Sequence, residues 1–400
     1  MKYNHSFSAA DILLPKSNFQ NWAVIACDQY TSEPEYWNEV KSAAGDKPSA
    51  LNIVLPEVYL SNDNSERIKQ INQNMQNYID EDIFEQYPDS LIYVERIQSD
   101  GKLRRGIVGK FDLESYDYHA GTTAEIRATE QTVISRIPPR VEIRKNAPLE
   151  LPHVMLLFDD IDNTVMSNVS SNTADFDKVY DFELMCNAGA IKGYRLNDAA
   201  KEAVMAALEN LKEKNSGFLF CVGDGNHSLA TAKECYNLNK TEVSRYALVE
   251  IVNIHDTALQ FEPIYRVLFG VEPELIIDEF VKATGGAYTG SDAQKFTCVY
   301  GETTKEILIK PTAKLAVGTL QTFLDDYMNS HSDIEIDYIH GEDSLKKLAA
   351  RSNALGFIFE GMQKSELFAA VNADGSLPRK TFSMGHADDK RFYIEARKIK

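Results

Sequence analysis

Positive charge is what this chain has little of. Its 400 residues carry 42 Lys and Arg against 60 Asp and Glu, a formal net charge of −18. Phosphate backbones demand a basic surface, so nucleic acid is excluded as the main partner. Cysteine is scarce as well: Cys27, Cys186, Cys221, Cys235 and Cys298 are widely spaced, with no CxxC pair and no His at metal-ligand spacing beside them. They read as reduced small hydrophobes rather than a disulfide framework. No apolar run approaches the roughly 20 residues of a membrane span. The opening MKYNHSFSAADILLPKS lacks both a continuous apolar stretch and a small-residue cleavage site. The expectation is a cytoplasmic protein with no membrane partner. Catalytic signatures are missing too. There is no G-x-S-x-G elbow for a Ser–His hydrolase, no HExxH for zinc, no Walker loop and no GxGxxG, and the eight His are scattered.

What is present is length and alternation. A chain of 400 residues exceeds the size at which one hydrophobic core keeps growing, so two or more packed substructures are expected. Strand and helix patterns alternate without repeats, which indicates α/β to α+β with mixed sheets and flanking helices. The pattern suggests three segments, 1–160, 161–270 and 271–400. WAVIA (Trp22 to Ala26) reads as a short strand running into Asp28, Tyr30, Thr31 and Ser32, where open α/β sheets place ligands, before a helix from Pro34. Ser65 to Phe84 is helical and polar. LIYVERI and GIVGKF read as a hairpin turning at Ser99 to Lys102. HVMLLF is a buried strand ending in Asp159-Asp160, and DNTVMSNVSSNTADFDK a polar loop. CNAGAIKGYRLND is a turn with Lys192 between Gly189 and Gly193, followed by a helix capped at Asn197 or Asp198 and running to about Lys214.

Two regions carry candidate chemistry. In CVGDGNHSLATAK the tetrad DGNH joins a strand pattern to a helix pattern. A helix amino terminus offers unpaired N–H groups and partial positive charge, so a glycine loop feeding it suits an anion. Gly223 and Gly225 allow close approach of backbone or φ > 0. Asp224 is placed to hold Mg²⁺ or to cap the loop, and His227 to donate to a phosphate oxygen or act as an acid. The alternative is that Asp224 and Asn226 only cap the helix and His227 is structural. The second region is GTTAEIRATEQTVISRIPPR. Thr122 with Glu125 makes a capping box and Pro138-Pro139 ends a helix, so the pattern predicts a helix from about Thr123 to Arg136. Ile126, Val133, Ile134 and Ile137 then share one face, with Glu130 projecting into its middle. Such a carboxylate is either an ion-pair partner or a candidate general base. Arg127, Arg136, Arg140 and Arg144 cluster nearby. On an acidic chain they suit a phosphate or carboxylate ligand, or else salt bridges.

The order RATEQT, RIPPR, DGNHSLATA, PIYRVL, YIHGED and LPRKTFS resembles the family known as domain of unknown function 1015 across essentially the whole chain. Members of that family carry Asp-Gly-His-His-Arg where this chain has Asp224-Gly225-Asn226-His227-Ser228, and Pro-Thr-His-Arg where it has Pro263-Ile264-Tyr265-Arg266. The loop alone is also similar to that of the ParB and sulfiredoxin-like superfamily, which includes nucleotide hydrolases and kinases of free serine. That resemblance implies a nucleotide-binding core in which the loop backbone and His227 hold nucleotide phosphates and a separate Glu is the base. Joined to the residues above, the expectation is that Gly223, Gly225, Asn226 and Ser228, with Arg127, Arg136, Arg140 and Arg266, hold ATP or ADP with Mg²⁺ on Asp224, and that Glu130, His227 and Asp224 are catalytic. The activity implied is phosphoryl transfer to a small hydroxylated metabolite such as a free amino acid. A non-catalytic nucleotide or phosphometabolite sensor and a nucleotide hydrolase are the alternatives. The sequence sets no oligomeric state.

Overall fold

The computed structural model describes residues 3–60, 63–119, 121–331 and 333–400. Met1 and Lys2 of the opening segment lie outside them. The chain divides into two compact units: 1–128, 132–259 and 386–400 form the first, and 129–131 with 260–385 the second. Segments 1–160 and 161–270 both contribute strands to the sheet of the first unit. Mixed sheets with flanking helices are the observed architecture.

The first unit is built on a ten-stranded sheet. Its strands are β1 (Phe7–Ser8), β2 (Ile92–Ile97), β3 (Leu103–Asp112), β4 (Tyr116–Asp117), β5 (Ile126–Ala128), β6 (Met155–Phe158), β7 (Asp177–Glu183), β8 (Ala190–Arg195), β9 (Phe220–Asp224) and β10 (Tyr246–Asn253). The order is β7-β8-β2-β3-β10-β6-β9-β5-β4, with β1 on β3. The β6–β10, β9–β5 and β5–β4 pairs are parallel, and the remaining pairs are antiparallel. Successive strand residues point to opposite faces, and both faces here are covered. Leu248 packs in one core cluster with Val108, Ile92, Val94, Trp22 and Trp37. Its neighbours Ala247 and Val249 join the other, with Ile107, Tyr93 and Phe220. That second face is covered by α4 (Thr164–Ser170), α5 (Asp198–Lys214) and α6 (Asn226–Leu238), which follow α1 (Pro34–Ala44), α2 (Ser65–Asp80) and α3 (Ile137–Arg144) in the chain. The carboxyl terminus is stitched into this unit by two short ladders, Phe392–Tyr393 on Val24–Ile25 and Arg397–Lys398 on Leu149–Glu150.

The second unit has a six-stranded antiparallel sheet of β11 (Phe261–Phe269), β12 (Gln294–Tyr300), β13 (Thr303–Ile309), β14 (Glu335–His340), β15 (Ala354–Phe359) and β16 (Phe382–Met384). Its order is β13-β12-β15-β11-β14, with β16 on β11. Phe280 centres its core, with ring centroids 4.9 Å from Phe323 and 5.2 Å from Phe296.

Several expected elements form: the Ser99–Lys102 hairpin, the helix from Pro34, the strand at HVMLLF, the helix capped by Asn197, whose side chain accepts from Ala200 N–H, and the strand and helix flanking DGNH. Others do not. The helix expected from Thr123 to Arg136 is absent. Thr122 Oγ1 takes the Ala124 N–H in a local turn at 3.1 Å, and the Glu125 carboxylate is held by Ser6 and by Lys212 at 2.8 Å, so no capping box closes. Ile126–Ala128 instead becomes β5 between β9 and β4. Pro138-Pro139 starts α3 rather than ending a helix, because proline lacks only an N–H that the first turn leaves unpaired anyway. The supposed loop after Asp160 holds α4, whose Val165, Met166 and Val169 lie at helical spacing and are buried, and then β7. Trp22 ends a helical turn and the strand that follows is only Val24–Ile25. Phe84 opens a strand rather than closing α2. Gly189 is in a turn at φ 89°, but Lys192 and Gly193 lie in β8, where the Tyr180 ring occupies the space of a Gly193 side chain.

Candidate functional site

The DGNH junction sits at the carboxyl end of β9. The apolar FCV triplet is buried as the strand requires, and the chain turns at Gly225, which caps α6 at φ 83°, a conformation L side chains rarely adopt. A Cβ at Gly225 would stand 3.0 Å from Val154 Cγ2, and one at Gly223 would meet Leu157 at 2.7 Å. Both glycines are therefore demanded by packing against β6 and its approach, irrespective of any ligand. Asp224 accepts the Gly225 N–H at 3.0 Å and faces Lys390 Nζ at 3.3 Å. Among the described residues no group of three His, Cys, Asp or Glu is gathered as a metal cluster, so Asp224 stands there as one carboxylate.

His227 is in the first turn of α6. Its Nε2 accepts the Val133 N–H at 3.3 Å. Burial, then the charges of Arg140 and Arg136, pull its pKa from 6.5 down to about 4, with Asp28 opposing. The imidazole is therefore neutral near pH 7. With Nε2 accepting, Nδ1 carries the ring hydrogen and is a donor. It can give a hydrogen bond to an anion but is a poor source of protons for catalysis.

The next residue, Ser228, shares a hydrogen bond of 3.0 Å with His153 Nε2, while His153 Nδ1 bonds the Tyr393 hydroxyl at 2.7 Å. Asp28 Oδ2 lies 3.9 Å from the same Nε2. Burial would raise the Asp28 carboxyl, but His153, a hydrogen bond from Gln29 and the charge of Lys390 outweigh it and hold it below the usual carboxylate range. The strand-end acid read from sequence thus belongs to this cluster. His153, Lys390 and Tyr393 escaped the sequence reading. His153 precedes an apolar strand without a motif, and Lys390 and Tyr393 lie more than 160 residues from the loop, with no pattern linking them to it.

The predicted arginine cluster divides. Arg140 and Arg136 act on His227, Arg140 also donating to the Arg136 carbonyl at 2.9 Å and pairing with Glu57. α3, which carries Arg140, packs on α6. Arg127 lies over the Phe218 ring at 4.0 Å and donates to the Ala124 carbonyl at 3.0 Å. Arg144 pairs with Glu150, which Arg397 also binds at 2.6 Å.

Glu130 and Arg266 belong to the second unit. Glu130 is not on a helix face. It bridges to Leu377 in extended conformation, and its carboxylate accepts from the backbone of Lys380 and Thr381. Burial raises its pKa, against the pull of those two bonds and of Lys380 and Arg266. Arg266 is fully buried. It donates to Gln321 at 2.9 Å and to the carbonyls of Ile264, Lys380 (2.8 Å) and Arg379 (3.1 Å), and lies over Tyr338 at 4.8 Å. Its guanidinium shapes the LPRKT turn, in which Lys380 takes φ 58°, and so presents the two N–H groups that hold Glu130.

Among the described residues no helix is long and apolar enough to cross a membrane. Similar solved structures include a mutant free serine kinase in complex with ADP, at 13% identity over 75% of this chain and 93% of that chain with a TM-score of 0.41. A conserved hypothetical protein from Pyrococcus furiosus matches at 13% identity over 73% and 95% with a TM-score of 0.38. SbnI with a C-terminal truncation from Staphylococcus aureus matches at 11% identity over 70% and 82% with a TM-score of 0.37. No curated protein matches the sequence. Residues 8–327, well over half of the chain, match the family described as protein of unknown function (DUF1015), and the chain belongs to that family.

Proposed function

We propose that the Gly223–Ser228 loop holds the phosphates of a nucleotide and that the protein transfers a phosphoryl group to a small hydroxylated metabolite such as a free amino acid in the cytoplasm. The observation that carries this reading is His227: a neutral imidazole with a donor Nδ1, in the first turn of a 13-residue helix, under the charge of two arginines. Helix N–H groups, that donor and Arg136 and Arg140 supply what a phosphate chain needs in an otherwise acidic protein. Phosphoryl transfer asks mainly for positioning and charge neutralisation, and these groups provide both. Asp224 is the proposed Mg²⁺ ligand, since Mg²⁺ is held by one or two carboxylates together with phosphate oxygens. Mg²⁺ bound there supplies further neutralisation of the phosphates.

A thermal-shift screen of ATP, ADP, CTP and GTP with Mg²⁺, followed by phosphate release with and without amino acids, tests the proposal. Stabilisation by a nucleotide and turnover dependent on an acceptor are expected, with turnover lost in His227→Ala. No stabilisation by any nucleotide contradicts the reading. Binding without turnover assigns the site to a sensor, and turnover without acceptor to a hydrolase.

A further inference from the structure

We infer that Lys390, delivered by a clamped turn of the carboxyl-terminal segment, is an anion-binding residue of the Gly223–Ser228 loop; the inference rests on the phosphate-binding reading above. Residues 386–400 fold into the first unit although they lie beyond the matched family range, which ends at 327. Lysine ordinarily carries its ammonium out to water on a flexible stem. Lys390 does not: its side chain is 17% exposed, and Nζ rests 3.3 Å from Asp224 of the loop. Its charge also lowers the Asp28 carboxyl, so it stands among the polar groups of the candidate site.

The turn that carries it is held by buried charge on both sides. Before it, the Asp389 carboxylate accepts from Ser99 N at 2.9 Å and Ser99 Oγ at 3.0 Å. Arg96 donates to the Asp388 carbonyl at 3.0 Å and Arg104 to the Asp389 carbonyl at 2.9 Å. After it, Arg391 pairs with Glu250 at 2.8 Å and Glu395 at 2.7 Å and donates to the Pro152 carbonyl at 2.7 Å. Arg96 and Arg104 are direct cross-strand neighbours on β2 and β3, both buried, an arrangement of like charges that costs stability. What this costly frame fixes is the backbone on either side of Lys390, and with it the place of one ammonium. Asp224 neutralises that ammonium, and a phosphate oxygen reaching the loop offers it a second anionic partner. The loop itself contributes no cationic side chain, since His227 is neutral, so Lys390 supplies the positive charge on the Asp224 side as Arg136 and Arg140 supply it beside His227.

The test is calorimetric titration of ADP, AMP and adenosine into the full chain and its Lys390→Met and Lys390→Arg variants, each with a thermal melt. Loss of one charge-assisted contact is expected to weaken ADP by about tenfold or more in Lys390→Met. AMP is expected to weaken less, adenosine not at all, and Lys390→Arg to keep most of the affinity. Equal ADP affinity in wild type and Lys390→Met overturns this inference and leaves the phosphate-binding reading standing. An equal loss for adenosine and ADP also overturns it, because it marks a change of structure. Absence of nucleotide binding by the wild type overturns both. Should Lys390→Met melt early, the salt dependence of ADP affinity in Lys390→Gln decides: a slope unchanged from wild type contradicts the role.

Discussion

At the residue scale the candidate site turns on His227, whose surroundings make a signed prediction about pH. In the unfolded chain the imidazole protonates near 6.5, and in the folded chain burial with Arg140 and Arg136 holds protonation back to about 4. A group depressed in this way contributes stability in full above pH 6.5, and the contribution is lost as pH falls from there toward 4. His227→Gln keeps a hydrogen-bonding side chain without the titration, so its melting temperature is expected to fall less steeply than that of wild type across this window. Parallel profiles for the two proteins would contradict the neutral assignment. The residue scale is also where the sequence was most legible. The DGNH junction, the positive φ of Gly225 and the Asp28 strand end follow from strand, turn and helix chemistry alone. His227 as a donor held neutral does not, because its state is set by Val133, Arg136 and Arg140, brought beside it only by the packing of α3 on α6.

At the scale of elements, the instructive error is the stretch from Thr123 to Arg136. Its hydrophobic spacing fits a helix, yet Ile126–Ala128 pairs with β9 on one side and β4 on the other, and a strand between two others outweighs local propensity. Glu130 consequently leaves the helix face assigned to it and meets the turn that Arg266 organises. That turn is a falsifiable element. Arg266→Met removes one partner of a buried polar network while leaving the carbonyls of Lys380 and Arg379 and the Glu130 carboxylate behind, a change that typically costs about 3–5 kcal/mol. The second unit is expected to unfold at lower denaturant and to become sensitive to protease within 377–381. A variant that melts like wild type would show that Gln321, Tyr338 and the turn hold together without the guanidinium.

For the whole molecule, the fold class was legible and the wiring was not. Alternating patterns indicate mixed sheets, but nothing in them dictates that β6 lies between β9 and β10, or that residues 386–400 return to pair with Val24–Ile25 and Leu149–Glu150. Strand order is decided by long-range burial on two faces, and the cluster on one of them joins Ala10 to Ile399 from the two ends of the chain. The same wiring answers the question raised by the acidic composition: the cations of the candidate site come from α3, the turn before it and the carboxyl terminus. The proposed function stands on phosphate binding at the start of α6, and Asn226→Asp tests that binding most directly. The substitution is isosteric and places a negative charge in the first helical turn, where the helix dipole tolerates or favours it while a phosphate is repelled. Titration of ADP with Mg²⁺ into wild type and folded Asn226→Asp is predicted to give binding by the wild type and at least about a tenfold loss in the variant. Equal affinities, or no binding by the wild type, would contradict it.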